Sequence, residues 1–161
     1  TGSGCIAIGL EKFLEEKDIT AHIDAVDIST KALKVAKKNA KLNKSSVNFI
    51  KSDLFENVKE KYDIIVSNPP YINKEDMLSL DIEVKKYDPT LALYGGESGL
   101  DFYERIINNC KNHLTNDGII LFEIGINQEN DVLKMLENKG FKTEIIKDYS
   151  GVNRIVIGYL N

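Results

Sequence analysis

No run of apolar residues in this chain approaches the ~18 needed to cross a bilayer, and no signal-peptide pattern is present, so no membrane is expected as a partner. Cysteine is scarce. Cys5 and Cys110 lie far apart and form no C-x-x-C pair, which favours a reduced, cytoplasmic setting. The two histidines, His22 and His113, have no neighbouring Cys or His to complete a ligand set, so no metal is expected. Positive charge is also short: 21 Lys and Arg stand against 25 Asp and Glu, a net charge of -4. That balance argues against a broad grip on nucleic-acid phosphates, and no DNA is expected.

What is present is ordinary for a water-facing globular domain: 161 residues, 42% hydrophobic and 29% charged, enough to bury one core. The chain opens directly on Thr1-Gly2-Ser3-Gly4. A glycine loop of this kind normally follows a strand, so an upstream strand is expected to be missing from this chain.

Periodicity divides the remainder. "GCIAIGLEKFLEEK" spaces Ile6, Leu10, Phe13 and Leu14 as one helical face. "AHIDAVDI" reads as a strand ending at Asp27-Ile28, and Ser29 caps a lysine-rich helix whose inner face is Leu33, Ala36 and Ala40. "VNFIKS" and "YDIIVS" read as strands, the second buried and central. Residues 73–97 resist a regular assignment. "GLDFYERIINNCKNHL" sets Leu100, Tyr103, Ile106, Ile107, Cys110 and Leu114 on one helical face. "DGIILFEIG" is a buried strand, "QENDVLKMLENKG" a helix stopped by Gly140, and the end a hairpin turning at Ser150-Gly151. Strands alternating with helices predict an α/β class fold: a doubly wound, mostly parallel sheet ending in an antiparallel hairpin. In such sheets ligands sit at the carboxyl ends of the strands.

That rule collects Gly2–Gly4, Asp27, Asp53 and Asn68. Gly2-Ser3-Gly4-Cys5-Ile6-Ala7 fits G-x-G-x-x-A, a turn that lets a ligand approach the backbone; a tight loop opening a helix is the plainer reading. Asp27, ending the second strand, suits both hydroxyls of a ribose, or else a helix dipole. Asp53 is placed for an adenine amino group with Leu54 covering the ring, or serves as a turn residue. A dinucleotide and S-adenosylmethionine both fit this frame.

The sequence Asn68-Pro69-Pro70-Tyr71 separates them. Three prolines occur in the chain, and two of them stand together here. They fix φ at successive residues and leave carbonyls with no competing N–H donors; Asn68 adds an acceptor and Tyr71 a flat ring. The result is a rigid cradle for a planar group carrying NH2. Hydride transfer needs no such cradle. Methyl transfer to an amide or exocyclic amine does, because its delocalised lone pair must be aimed at the methyl.

The blocks "TGSGCIAI", "AVDIS", "SDLF" and "DIIVSNPPYI" resemble the class I S-adenosylmethionine-dependent methyltransferases. "YDPTLALYGGESGLDFYERI", "FEIGINQ" and "DYSGVNRIVIG" are similar to the release-factor glutamine methyltransferases, the PrmC/HemK group, over essentially the whole chain. The resemblance implies one methyltransferase catalytic domain over 1–161 with a Rossmann-like fold. It implies that Thr1, Gly2, Ser3 and Gly4 wrap the methionine part of the cofactor, Asp27 holds the ribose, and Asp53 and Leu54 hold the adenine. Asn68 would touch both cofactor and substrate. Asn68, Pro69, Pro70 and Tyr71 would grip the glutamine of a Gly-Gly-Gln motif in a peptide chain release factor, methylated on its amide nitrogen. Two features depart from that pattern. The family commonly carries Glu where this chain has Asp88, and it carries an N-terminal helical domain and a first strand that this chain is expected to lack.

Other residues invite readings of their own. Cys5 is a thiol near a helix N-terminus or a small buried packing residue, the latter expected. Arg154 pairs with an acid or is a solvated hairpin charge. Glu123, inside a strand, holds the cofactor's cationic end or a structural hydrogen bond. The lysines of 31–44 form a solvated face. The competing functions are a nucleic-acid adenine-N6 methyltransferase, a dinucleotide-binding oxidoreductase, and a non-catalytic module that holds an amide.

Overall fold

The computed structural model describes residues 1–81 and 89–160. The chain divides into two compact units, Thr1–Lys59 and the part from Glu60 onward, and each is described by itself.

The first unit is built from α1 (Cys5–Glu15), β1 (Asp24–Asp27), α2 (Thr30–Leu42) and β2 (Asn48–Lys51). The strands pair in parallel with Asp27 opposite Lys51, as a β-α-β crossover demands. α2 starts where Ser29 turns the chain, its hydroxyl accepting the Ala32 N–H at 3.2 Å. Leu33, Ala36 and Ala40 are buried along α2 as the spacing requires, and Ala7, Ala25 and Val47 form a core with Ile23 and Phe49 against it.

α1 corrects the sequence reading. Its buried residues are Ala7, Ile8 and Glu11, whereas Ile6 and Phe13 of the expected apolar face are 50% and 56% exposed. The carboxylate in the buried stripe is what misleads. Glu11 accepts the Ser46 N–H at 2.9 Å and the Ser46 hydroxyl, so a charge that should face water is held inside. Burial alone would push its pKa up, but the Ser45 and Ser46 hydrogen bonds and Lys12 outweigh that and leave it lowered.

The second unit comprises β3 (Tyr62–Ser67), α3 (Lys74–Ser79), α4 (Thr90–Leu93), α5 (Asp101–Cys110), a 3-10 turn Lys111–His113, β4 (Leu114–Glu123), α6 (Glu129–Asn138), β5 (Lys142–Lys147) and β6 (Asn153–Tyr159). Its sheet runs β3-β4-β6-β5, with β3 parallel to β4 and the two C-terminal pairings antiparallel. The closing hairpin therefore lies beside β4, and the sheet is mixed. Tyr103, Ile106, Ile107 and Cys110 bury the inner face of α5, and the Tyr103 ring meets Phe122 edge-on at 5.4 Å.

Two expectations change here. β3 reads as a buried central strand, but it is the edge of this sheet, with Ile64 51% exposed. The segment after it contains two short helices, α3 and α4; Asn73 caps the first by accepting the Asp76 N–H at 2.8 Å. Short helices escape a periodicity test because one or two turns do not complete an apolar stripe. Asp88 lies outside the described residues.

Candidate active site

In the first unit the expected cofactor residues meet at the carboxyl ends of β1 and β2. The Gly2 N–H donates to Asp27 Oδ2 at 2.8 Å and the Ser29 N–H to Asp27 Oδ1 at 2.7 Å, and the Thr1 nitrogen lies 2.8 Å from the Val26 carbonyl. The Asp27 carboxylate thus fixes the glycine turn to the strand end. Its partial burial pushes its pKa up; the hydrogen bonds from the Ser29 and Gly2 N–H groups pull it the other way, below the usual carboxylate range.

Gly4 closes the turn at φ +80° and caps α1. A Cβ added there would lie 3.1 Å from Ala36 Cβ and 3.3 Å from Phe49 Cε1, so the loop packs closely on α2 and β2. A Cβ on Gly2, by contrast, would meet nothing within 4 Å. This exposed backbone beside Asp27 is open to a ligand.

After β2 the chain makes a pinned turn. The Ser52 N–H donates to the Asp27 carbonyl at 3.1 Å, and the Glu56 N–H to the Asp53 carbonyl at 3.1 Å. The Ser52 hydroxyl accepts the Asn57 N–H at 3.0 Å. Leu54 sits at φ +48°, left-handed for a branched side chain. Such strain persists where surrounding bonds over-determine the backbone, as at ligand sites. Asp53 and Leu54 therefore occupy the strand end next to that of Asp27.

The second unit carries Asn68–Tyr71 directly after β3. Asn68 is exposed, and its amide makes no hydrogen bond among the described residues; Pro69 is buried, and Pro70 and Tyr71 are half-buried. The Ile72 N–H donates to the Leu93 carbonyl and the Gly95 N–H to the Ile72 carbonyl, each at 2.9 Å, a parallel bridge that fastens the segment to the 93–95 backbone. The Tyr71 carbonyl accepts Gln128 Nε2 at 3.0 Å. The loop is thus fixed through the Tyr71 and Ile72 backbone, while the Asn68 amide has no hydrogen-bond partner among the described residues.

Gln128 is the residue that reasoning from sequence missed. It stood in the "FEIGINQ" block, but nothing local marks a contact made across 57 positions. Of the others, Cys5 is exposed, not the buried packing residue expected. Cys110 is buried, which raises its thiol pKa to about 11. The Glu123 backbone carbonyl accepts the Tyr103 hydroxyl at 2.9 Å. Arg154 reaches Asp148 Oδ2 at 3.4 Å and the Ile124 carbonyl at 3.1 Å, closing the hairpin onto the end of β4. Among the described residues no group of His, Cys, Asp or Glu is arranged to hold a metal ion, and no helix is long and apolar enough to cross a membrane.

The fold is that of a class I methyltransferase. It is similar to a crystal structure of a methyltransferase from Pyrococcus furiosus (TM-score 0.72, 16% identity, 97% of this chain and 68% of that one). It is also similar to a ribosomal protein L11 methylase from Lactobacillus delbrueckii subsp. bulgaricus (TM-score 0.69, 23% identity, 100% of this chain and 67% of that one). At such identities the likeness is one of fold.

Residues 1–83 match the family model described as "Methyltransferase small domain", and the chain belongs to that family. It is 43% identical over 161 residues to a release factor glutamine methyltransferase of Fusobacterium nucleatum, covering 98% of this chain and 44% of the relative. It is 41% identical over 160 residues to one of Thermodesulfovibrio yellowstonii (98% and 56%), and 42% identical over 161 to one of Bacillus cereus (97% and 56%). The chain spans about half the length of these curated relatives.

Proposed function

We propose that this chain is the catalytic part of an S-adenosylmethionine-dependent N5-methyltransferase acting on the Gly-Gly-Gln glutamine of peptide chain release factors. The observation that carries this reading is Asn68: an exposed amide with no partner among the described residues, ending a strand and followed by a Pro-Pro-Tyr segment fastened through the Tyr71 carbonyl. The identity to release factor glutamine methyltransferases supports glutamine, and not adenine, as the planar NH2 group held there.

The residues of the first unit fit the cofactor. Open space over Gly2 leaves backbone for the methionine portion, and the Asp27 carboxylate, oriented by two backbone N–H bonds, keeps lone pairs for ribose hydroxyls. Asp53 and Leu54, on the neighbouring strand end, would hold the adenine. When bound, the cofactor supplies a methyl group on a cationic sulfur, a good leaving group.

The chain's own contribution is positional. Asn68 Oδ1 and the Pro69 carbonyl offer acceptors to the two N–H bonds of the target amide, Pro70 stiffens the turn, and the Tyr71 ring lies against the amide plane. Held so, the nitrogen lone pair would be presented in one fixed direction, which is the orientation that a methyl transfer needs. Because the nitrogen would become acidic once methylated, its proton could pass to solvent water, and no strong base would be required of the protein.

Incubation of the full-length protein with methyl-labelled cofactor and a release factor tests the reading. Label should enter the wild-type release factor and be absent after Gln→Ala in its Gly-Gly-Gln motif. Label that persists in that variant, or that moves into RNA or DNA instead, ends it.

A further inference from the structure

We infer that Gln128 is the positioning residue of the Asn68–Tyr71 loop: one side-chain amide that sets the loop's path by bonding three backbone segments at once. The inference rests on the reading of that loop as the grip on the target amide.

The chemistry of the loop creates the need. Pro69 and Pro70 have no N–H, so this stretch presents carbonyls to its surroundings and little with which to anchor itself. The anchoring donor must come from elsewhere. Gln128 Nε2 donates to the Tyr71 carbonyl at 3.0 Å and to the Gly99 carbonyl at 3.3 Å, while its Oε1 accepts the Gly125 N–H at 3.0 Å. The orientation of the amide is not arbitrary. An N–H can only donate and the two carbonyls can only accept, so the reverse flip would lose all three bonds. The Tyr103 hydroxyl stands 3.5 Å from Oε1 on the same side.

The surrounding glycines show how closely the segments approach. A Cβ on Gly99 would lie 2.3 Å from the Tyr71 carbonyl oxygen, and φ there is +79°. One on Gly95 would lie 2.7 Å from the Pro70 carbonyl oxygen and from Tyr71 Cα. One on Gly125 would lie 2.8 Å from Gln128 Oε1 and 2.9 Å from Tyr71 Cδ2. Three bare backbones therefore press on the loop, and the Gln128 amide sits among them.

Gln128 also forgoes the usual task of its position. It is the N-cap residue of α6, yet its side chain makes no capping bond to that helix and turns back to the loops instead. A residue that served only to start the helix would do the opposite.

The test uses the full-length protein and two substitutions. Gln128→Glu keeps the shape but sets an oxygen against two carbonyls; Gln128→Met keeps the length and removes all three bonds. For each, kcat for release-factor methylation should fall ~10–100-fold, as expected when a reacting group is displaced by about 1 Å. The Kd for S-adenosylhomocysteine by calorimetry should change less than threefold, at full stoichiometry. A kcat within threefold of wild type overturns the inference. So does a loss that merely tracks a reduced folded fraction, seen as a matching fall in binding stoichiometry. A separate arm does not depend on methyl transfer: in Gln128→Met, amide exchange at Gly125 should quicken at least tenfold. If the unaltered protein proves inactive on release factors, the functional reading fails, but this arm still judges the clamp, and unchanged exchange at Gly125 sinks it.

Discussion

Asp27 Oδ2 accepts the Gly2 N–H at 2.8 Å, so the acid expected to hold a ribose also shapes the glycine turn. One carboxylate then has two duties that a substitution cannot separate cleanly. Asp27→Ala should weaken S-adenosylhomocysteine binding ~10–150-fold, the range for losing hydrogen bonds to a charged group at about 1.5–3 kcal/mol. Calorimetry on the full-length protein checks it. A Kd within threefold of wild type would show that Asp27 faces no ligand.

The same pair fixes a pH dependence. The folded-state pKa of Asp27 is lowered, so its contribution is fully present above the unfolded value of about 3.9 and is lost as pH falls through the folded value. The stability difference between wild type and Asp27→Asn should therefore be constant from neutral pH down to about 5 and should shrink below about 4. Denaturant melts across that range measure it. A difference that shrinks already between pH 7 and 6 would assign the effect to another group.

Asn68→Ala removes a side chain that no described residue holds. Folding should be indifferent to it, with stability within about 0.5 kcal/mol of wild type, as for surface substitutions generally. Turnover should drop roughly 10²-fold or more, the scale for losing one preorganised polar partner. Cofactor affinity should change much less. Steady-state kinetics alongside a thermal melt separates these outcomes, and a variant of nearly full rate refutes the cradle.

Much of this arrangement is legible in the sequence. The inner faces of α2 and α5, the Gly140 stop, the hairpin and the gathering of Asp27 and Asp53 on adjacent strand ends follow from period and turn chemistry. The failures have a common physical origin in contacts between distant parts of the chain. Glu11 is buried because Ser46, 35 residues away, satisfies it; Gln128 matters because Tyr71 does. Periodicity reports that a face is apolar, not what covers it.

Gly4→Ala should be costly although the added group is one methyl. At φ +80° an L-residue pays roughly 1–2 kcal/mol, and the new Cβ would press on Ala36 and Phe49 at 3.1–3.3 Å. Ile8 Cδ1, at 3.2 Å, is a side-chain tip that can give way, but Ala36 Cβ is fixed to its backbone. A loss of about 2–3 kcal/mol in urea melts, with weaker cofactor binding, is expected. Gly9, where an added Cβ meets nothing within 4 Å, serves as the control. Gly9→Ala, in mid-helix, should be neutral or stabilising by up to about 1 kcal/mol.

Tyr103 tests how firmly the end of β4 is held. It is fully buried, and its hydroxyl donates to the Glu123 carbonyl at 2.9 Å. Tyr103→Phe keeps the ring against Phe122 but leaves that carbonyl without its donor, at a cost of about 1–3 kcal/mol. Burial raises the phenol's pKa above the usual value, with Tyr71 adding to the rise. In the unfolded chain the phenol ionises near pH 10; in the folded protein it stays neutral. The unfolded state therefore gains from ionisation as pH climbs past about 10, and wild-type stability falls there by a route closed to the phenylalanine variant. The wild type should lead at pH 8 and lose part of that lead by pH 11. Denaturant melts at the two pH values decide it; a lead that is unchanged or larger at pH 11 would mean that Tyr103 ionises in the folded state as readily as in water.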